Sequence, residues 1–138
     1  MKLLAVDTST RSCSVALWAD NAVASELTVR FDQTHSRHLM VVIEAVLDIA
    51  GITISDIDAY GVVLGPGSFT GLRIGIATVK GFALALKKPV AGISSLEALA
   101  YPFGGGETLL CPVLDVRKNE VYTAVYQWQQ NDCFVPVY

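Results

Sequence analysis

Residues 60–86 restrict the fold more than any other part of the chain. The wholly apolar run YGVVL (Tyr60 to Leu64) leads into GPGSFTG, and a helical pattern then runs from Phe69 to about Leu86, where Lys87-Lys88-Pro89 stops it. A strand apolar at every position belongs to the buried type, covered on both faces. A second short strand follows in Pro89 to Ile93 (PVAGI), and Ser94 is placed to cap a helix running to about Ala100.

Upstream, Lys2 to Asp7 (KLLAVD) is an apolar run closed by an acid, and Cys13 to Trp18 (CSVALW) follows a polar loop from Thr8 to Ser12, a hairpin pattern. Ala19-Asp20-Asn21 turns the chain into Val23 to Arg30, a third antiparallel strand. From His35 to Ala50 the period becomes helical. Leu39, Val42, Ile43, Val46, Leu47 and Ala50 share one face, and Met40, Val41 and Ile49 widen it, so only Arg37, Glu44 and Asp48 mark a polar stripe. A helix with so narrow a polar stripe is expected to be covered on two sides. Asp56 and Asp58 fall in the turn before Tyr60.

Three strands in meander, then helix, strand, helix, strand and helix, give a mixed five-stranded sheet with flanking helices. Gly104-Gly105-Gly106 forms a connector. Beyond it, Leu109 to Asp115 (LLCPVLD) and Val121 to Trp128 (VYTAVYQW) repeat the opening strand-loop-strand unit, again with an acid closing the first strand. The expected organisation is one lobe over 1–103 and, over 104–138, a connector with the beginning of a second, truncated lobe.

Composition narrows the function. Hydrophobic residues make up 52% and charged residues 17% of the 138 positions, against about 45–50% and about 25% in ordinary soluble domains. An excess of this kind suits a chain whose apolar surface meets a partner. The formal net charge of -3 provides no basic field for nucleic acid. Four apolar residues between Lys2 and Asp7 are too few for a signal-peptide core, and Thr78, Lys80 and several glycines interrupt the longest apolar run, which argues against a membrane span and for a cytoplasmic protein. Cys13, Cys111 and Cys133 have neither C-x-x-C nor disulfide-framework spacing and are expected to be small buried hydrophobes.

The stretch GPGSFTGLRIG, Gly65 to Gly75, looks like a phosphate loop but has no Lys or Arg before Arg73, so a nucleotide P-loop is excluded. Gly67, Gly71 and Gly75 recur every four residues, with Thr78 and Ala85 near the same helical face. Three readings stand: a turn plus a contact face that a second helix approaches closely, an anion site, and packing inside the lobe. The first is preferred, and it expects Leu at Gly71 or Gly75 to displace a partner helix while leaving the lobe folded. The loop Asp7-Thr8-Ser9-Thr10-Arg11-Ser12 is either a hydroxyl-rich hairpin turn or a phosphate-binding hairpin in which Ser9 replaces a helpful glycine. His35 and His38 lack the further ligands a metal needs. Ser68 lacks the G-x-S-x-G elbow, and no nucleophile-base pair is evident.

Taken together, MKLLAVDTSTRSCSVAL, the HS..L helix entry, GPGSFTGLRIGIATVKGFA and LDVRKNEVYTAVY resemble the bacterial TsaB (YeaZ) family over roughly residues 1–126. The resemblance implies an actin-like α/β fold of the acetate and sugar kinase, Hsp70 and actin type. It further implies a non-catalytic partner of a TsaD-like transferase in making N6-threonylcarbamoyladenosine in tRNA, with a TsaE-like ATPase as a further partner, tRNA met only indirectly, a homodimer when alone, and no cofactor or metal. TsaD-like subunits carry an H-x-x-x-H metal pair; His35 and His38 stand one residue closer. The two first-lobe helices would form the partner surface, here Leu39, Ile43, Ser68, Thr70, Gly71, Arg73, Ile74, Gly75 and Thr78. The rival expectation is a small ATPase or phosphotransferase using Asp7, Ser9, Thr10 and Asp115.

Overall fold

The computed structural model describes residues 1–30, 38–105, 108–117, 119–129 and 133–136. Strands β1 (Leu3–Asp7), β2 (Ser12–Ala19) and β3 (Ala22–Arg30) form the meander, with Asp20 and Asn21 both at positive φ in the two-residue turn between the last two. Helix α1 (Leu39–Ile49) crosses to β4 (Ala59–Gly65), α2 (Phe69–Leu86) to β5 (Val90–Ser94), and α3 (Ser95–Ala100) follows directly. The five-stranded sheet has the order β3-β2-β1-β4-β5. β1 pairs antiparallel with β2 and parallel with β4, and β4 pairs parallel with β5, so the sheet is mixed as the element order predicts.

Alternation along the strands builds the core. Leu4 and Val6 of β1, Cys13, Val15 and Leu17 of β2, and Tyr60 and Val62 of β4 are buried against the inner faces of α1 and α2, where Val46 and Val79 are fully enclosed. Ser25 Oγ of β3 donates to the Val46 carbonyl at 2.8 Å and ties α1 to the sheet. Local chemistry sets the helix ends. Ser68 accepts from the Gly71 N–H at the start of α2, Lys87 closes that helix in the left-handed region, and Ser94 accepts from the Glu97 N–H to cap α3. Before β4, the Thr53 N–H and hydroxyl both donate to the Asp56 carboxylate at 2.8 Å across a single 3₁₀ turn.

Three sequence expectations need correction. α1 is covered on one side only: Met40, Val41 and Ile49 are exposed. LLCPVLD is two strands, β6 (Leu109–Leu110) and β7 (Val113–Arg117), because Pro112 has no N–H for a ladder. VYTAVYQW likewise splits into β8 (Glu120–Thr123) and β9 (Tyr126–Gln129). β7 pairs with β8, while β9 pairs with β6 and with β10 (Cys133–Pro136). A fourth correction concerns the cysteines: Cys13 is buried as expected, but Cys111 is exposed, its sulfur 3.1 Å from Thr123 Oγ1; the Cys133 side chain lies outside the described residues.

α2 also qualifies the expectation about membranes. Its 18 residues are long and apolar enough to cross a bilayer by length and composition. Arg73 and Lys80 sit within it, and its Gly71, Gly75, Val79 and Ala83 stripe is buried inside the lobe, the arrangement of a helix laid on a sheet.

Candidate functional site

Two surfaces meet at GPGSFTG. The first is internal. Asp7 Oδ1 accepts the Ser9 N–H at 2.7 Å, which turns the first hairpin back on itself and buries Thr8 and Ser9. The Ser68 N–H donates to the Ser9 carbonyl at 2.6 Å, and Thr8 Oγ1 donates to the Gly71 carbonyl at 2.7 Å. A methyl group added at Gly67 would strike the Ser9 backbone, one at Gly71 the Thr8 carbonyl oxygen, and one at Gly75 Thr8 Oγ1. The four-residue glycine repeat therefore admits the chain's own first hairpin. Gly71 and Gly75 are buried, which corrects the expectation that they face a partner helix. The N–H groups of Ser68, Gly71 and Leu72 are all taken up within this clasp, leaving them unavailable to an anion.

The outward side of α2 is different in kind. Phe69 is 74% exposed, and Thr70, Arg73 and Ala77 continue its stripe at helical spacing. The Arg73 guanidinium lies 5.3 Å from the Phe69 ring centroid, a cation–π distance that holds both side chains on one face. With Ile74 they line a shallow hollow of about 410 Å³. Ser68 and Thr70 are exposed at the helix start, and Ile74 and Thr78 are half-buried. On α1, Leu39 and Ile43 are 0% and 1% exposed because both point into the sheet, so their expected contact with a partner is also corrected. The sequence reading missed Phe69, although it precedes Arg73 by four residues at the exposed start of the helix.

A cleft of about 640 Å³ separates the first hairpin from the β7–β8 hairpin. Ser9, Thr10, Arg11 and Ser68 line one wall, and Leu114, Asp115 and Tyr122 the other. The structure thus gathers Ser9, Thr10 and Asp115 of the rival expectation, with Asp7 held behind Ser9; Arg11 joins them unforeseen. Hydroxyls, one guanidinium and one carboxylate can hold a polar ligand. Behind the cleft, burial and then the Asp7 carboxylate push the Cys13 thiol up from its ordinary value. Among the described residues no three or more His, Cys, Asp or Glu side chains cluster as metal ligands. His38 occupies the N-cap position of α1, and His35 lies outside the described residues.

The family described as TsaD, tRNA N6-adenosine threonylcarbamoyltransferase, matches residues 29–133. The Escherichia coli K12 tRNA threonylcarbamoyladenosine biosynthesis protein TsaB is 38% identical over 133 residues, which are 95% of this chain and 57% of the relative. The Bacillus subtilis TsaB is 34% identical over 129 residues, 94% of this chain and 56% of the relative. Among solved structures, YeaZ from Pseudomonas aeruginosa superposes with a TM-score of 0.87 at 38% identity, covering 99% of this chain and 64% of that one. The chain spans a little over half the length of the curated relatives it matches.

Proposed function

The chain belongs to the TsaB (YeaZ) family, which shares the TsaD-type domain and the actin-like α/β fold, and from that premise we propose that it acts in threonylcarbamoyladenosine modification of tRNA as a non-catalytic partner. In this reading the chain docks onto a TsaD-like catalytic subunit through α2, meets tRNA only through that subunit, works in the cytoplasm, and pairs with a second copy when alone. A TsaE-like ATPase is a further member of the assembly.

One observation carries the reading. The outward stripe Phe69, Thr70, Arg73, Ile74 and Ala77 leaves a large aromatic and a guanidinium in solvent on a helix whose other side is packed, the residue types that anchor protein interfaces. Met40 and Val41 on α1 are further exposed apolar side chains. Docking raises transfer only if it favours the active conformation of the catalytic subunit over another. The test is threonylcarbamoyl transfer to tRNA by a TsaD-like protein with and without this chain. Stimulation that disappears with Arg73→Glu supports the reading; equal rates in all three mixtures reject it.

A second reading is favoured by the cleft. If Ser9, Thr10, Arg11 and Asp115 hold a nucleotide, the chain is a small ATPase or phosphotransferase. Titration calorimetry with ATP and Mg²⁺ separates the two: micromolar binding abolished by Arg11→Ala supports the enzyme, and no heat supports the partner.

A further inference from the structure

We propose that the free edge of β5 is a docking site for an extended acidic peptide segment, which joins the sheet as a sixth strand. β5 is the last strand of the order β3-β2-β1-β4-β5, and Val90, Ala91 and Gly92 are exposed along it. The Tyr60 N–H donates to the Pro89 carbonyl at 3.0 Å. Strand alternation then turns the backbone groups of Pro89, Ala91 and Ile93 toward β4, and those of Val90 and Gly92 toward solvent. Among the described residues no strand pairs with this edge, and edges of this kind are templates for pairing.

Beside the edge lies an apolar groove with a cavity volume of about 400 Å³. Leu64, Ile76, Leu84 and Val90 line it, and Leu84 is 80% exposed. Gly92 has no side chain; the Leu64 side chain occupies the space a methyl group there would need, so the groove floor stays shallow. A strand laid against Val90 and Gly92 would therefore present every second side chain to an apolar lining, which is the geometry of β-strand addition. This groove lies toward the C-terminal end of α2, apart from the Phe69 stripe.

Charge selects the occupant. Lys80 and Lys88 are the charged residues of the groove lining, in a chain whose net charge is -3. Carboxylates two residues before or after the apolar groove-facing positions of an incoming strand share their face and would meet these two ammonium groups. Pairing with a second copy along the same edge would instead bring like-charged lysine pairs together, which disfavours self-association there. Hydrogen bonds from Thr53 and from the Lys2 N–H, with Lys88 a minor contributor, hold the Asp56 and Asp58 carboxyls low, so Lys80 is the cleaner position to change.

The test uses the isotope-labelled 138-residue chain and two synthetic peptides, one with valine and isoleucine at the central positions of one strand face and glutamate two residues before and after them on that face, the other carrying lysine in place of glutamate. The acidic peptide should slow amide exchange at Val90 and Gly92, the lysine peptide should not, and Lys80→Glu should weaken acidic-peptide binding about tenfold while leaving the circular dichroism unchanged. Lys80→Gln, with an intermediate loss, controls for any effect of the reversed charge on folding. Equal binding of both peptides, protection confined to residues 69–77, absence of protection at β5, or β5 protection that rises with protein concentration without peptide would each overturn the proposal.

Discussion

Thr8 and Gly71 are 63 positions apart, yet the hydroxyl of one and the carbonyl of the other make a buried hydrogen bond of 2.7 Å. Gly71 has no room for a methyl group because the obstacle is the Thr8 carbonyl oxygen, a backbone atom of the same pinned hairpin. Gly71→Ala should therefore destabilise the lobe itself, by about 1–3 kcal/mol as overpacked cores do, and lower the thermal midpoint measured by circular dichroism; an unchanged midpoint would show that the clasp yields. This replaces the expectation that bulk at the glycines affects only a partner. Titration belongs to the same scale. Burial raises both the Cys13 thiol and the Tyr60 phenol above their ordinary values of 9.0 and 10.0. Each folded-state group holds its proton more tightly than the unfolded chain does, so their contribution to stability is complete below those values and is lost as pH rises through the folded values. Urea midpoints should fall above about pH 9, and the fall above pH 10 should shrink in Tyr60→Phe. The same variant should gain about 1 kcal/mol at neutral pH, since the Tyr60 hydroxyl has no partner among the described residues.

At the level of elements, much was legible in the sequence for local reasons. Asp20-Asn21 marks the hairpin turn, Ser94 the cap of α3, and Lys87-Lys88-Pro89 the end of α2, and each is a backbone requirement met by neighbouring residues. The direction of the glycine stripe was not legible. Small residues every four positions permit close approach but do not say whose backbone approaches, and the answer depends on a contact with the distant Thr8. Leu39 and Ile43 were ambiguous for a similar reason: apolar residues nearly surround α1, and only the packing of Ser25 and the β2–β3 pair fixes which side turns inward. Pro112 was the opposite case, a visible signal in LLCPVLD that a single strand could not continue. Phe69 is the most informative residue on the outward face of α2. Phe69→Asp removes its exposed ring without touching the core, so stability should stay within about 0.5 kcal/mol. Self-association followed by light scattering should fall; a loss of stability with unchanged association would place Phe69 in the fold instead of the interface.

For the whole molecule, we propose that the division after residue 103 separates a first lobe from the start of a second. The parts are not independent in packing. Leu96 and Ala100 of α3 share a cluster with Tyr126, and the Trp128 ring lies 5.7 Å from Tyr101 in an edge arrangement. A chain ending at residue 103 should accordingly melt at a lower temperature than the 138-residue chain. Net charge bears on the same scale: at -3 the chain gains little from releasing counterions from RNA, so the tRNA role we propose for it requires a protein partner. Docking of α2 onto a TsaD-like subunit, as we propose, is read from the mass of the mixed proteins in multi-angle light scattering. A one-to-one complex is expected with the unaltered chain and separate components with Phe69→Asp or Arg73→Glu. A complex of unchanged mass with both variants, or none with the unaltered chain, would contradict it.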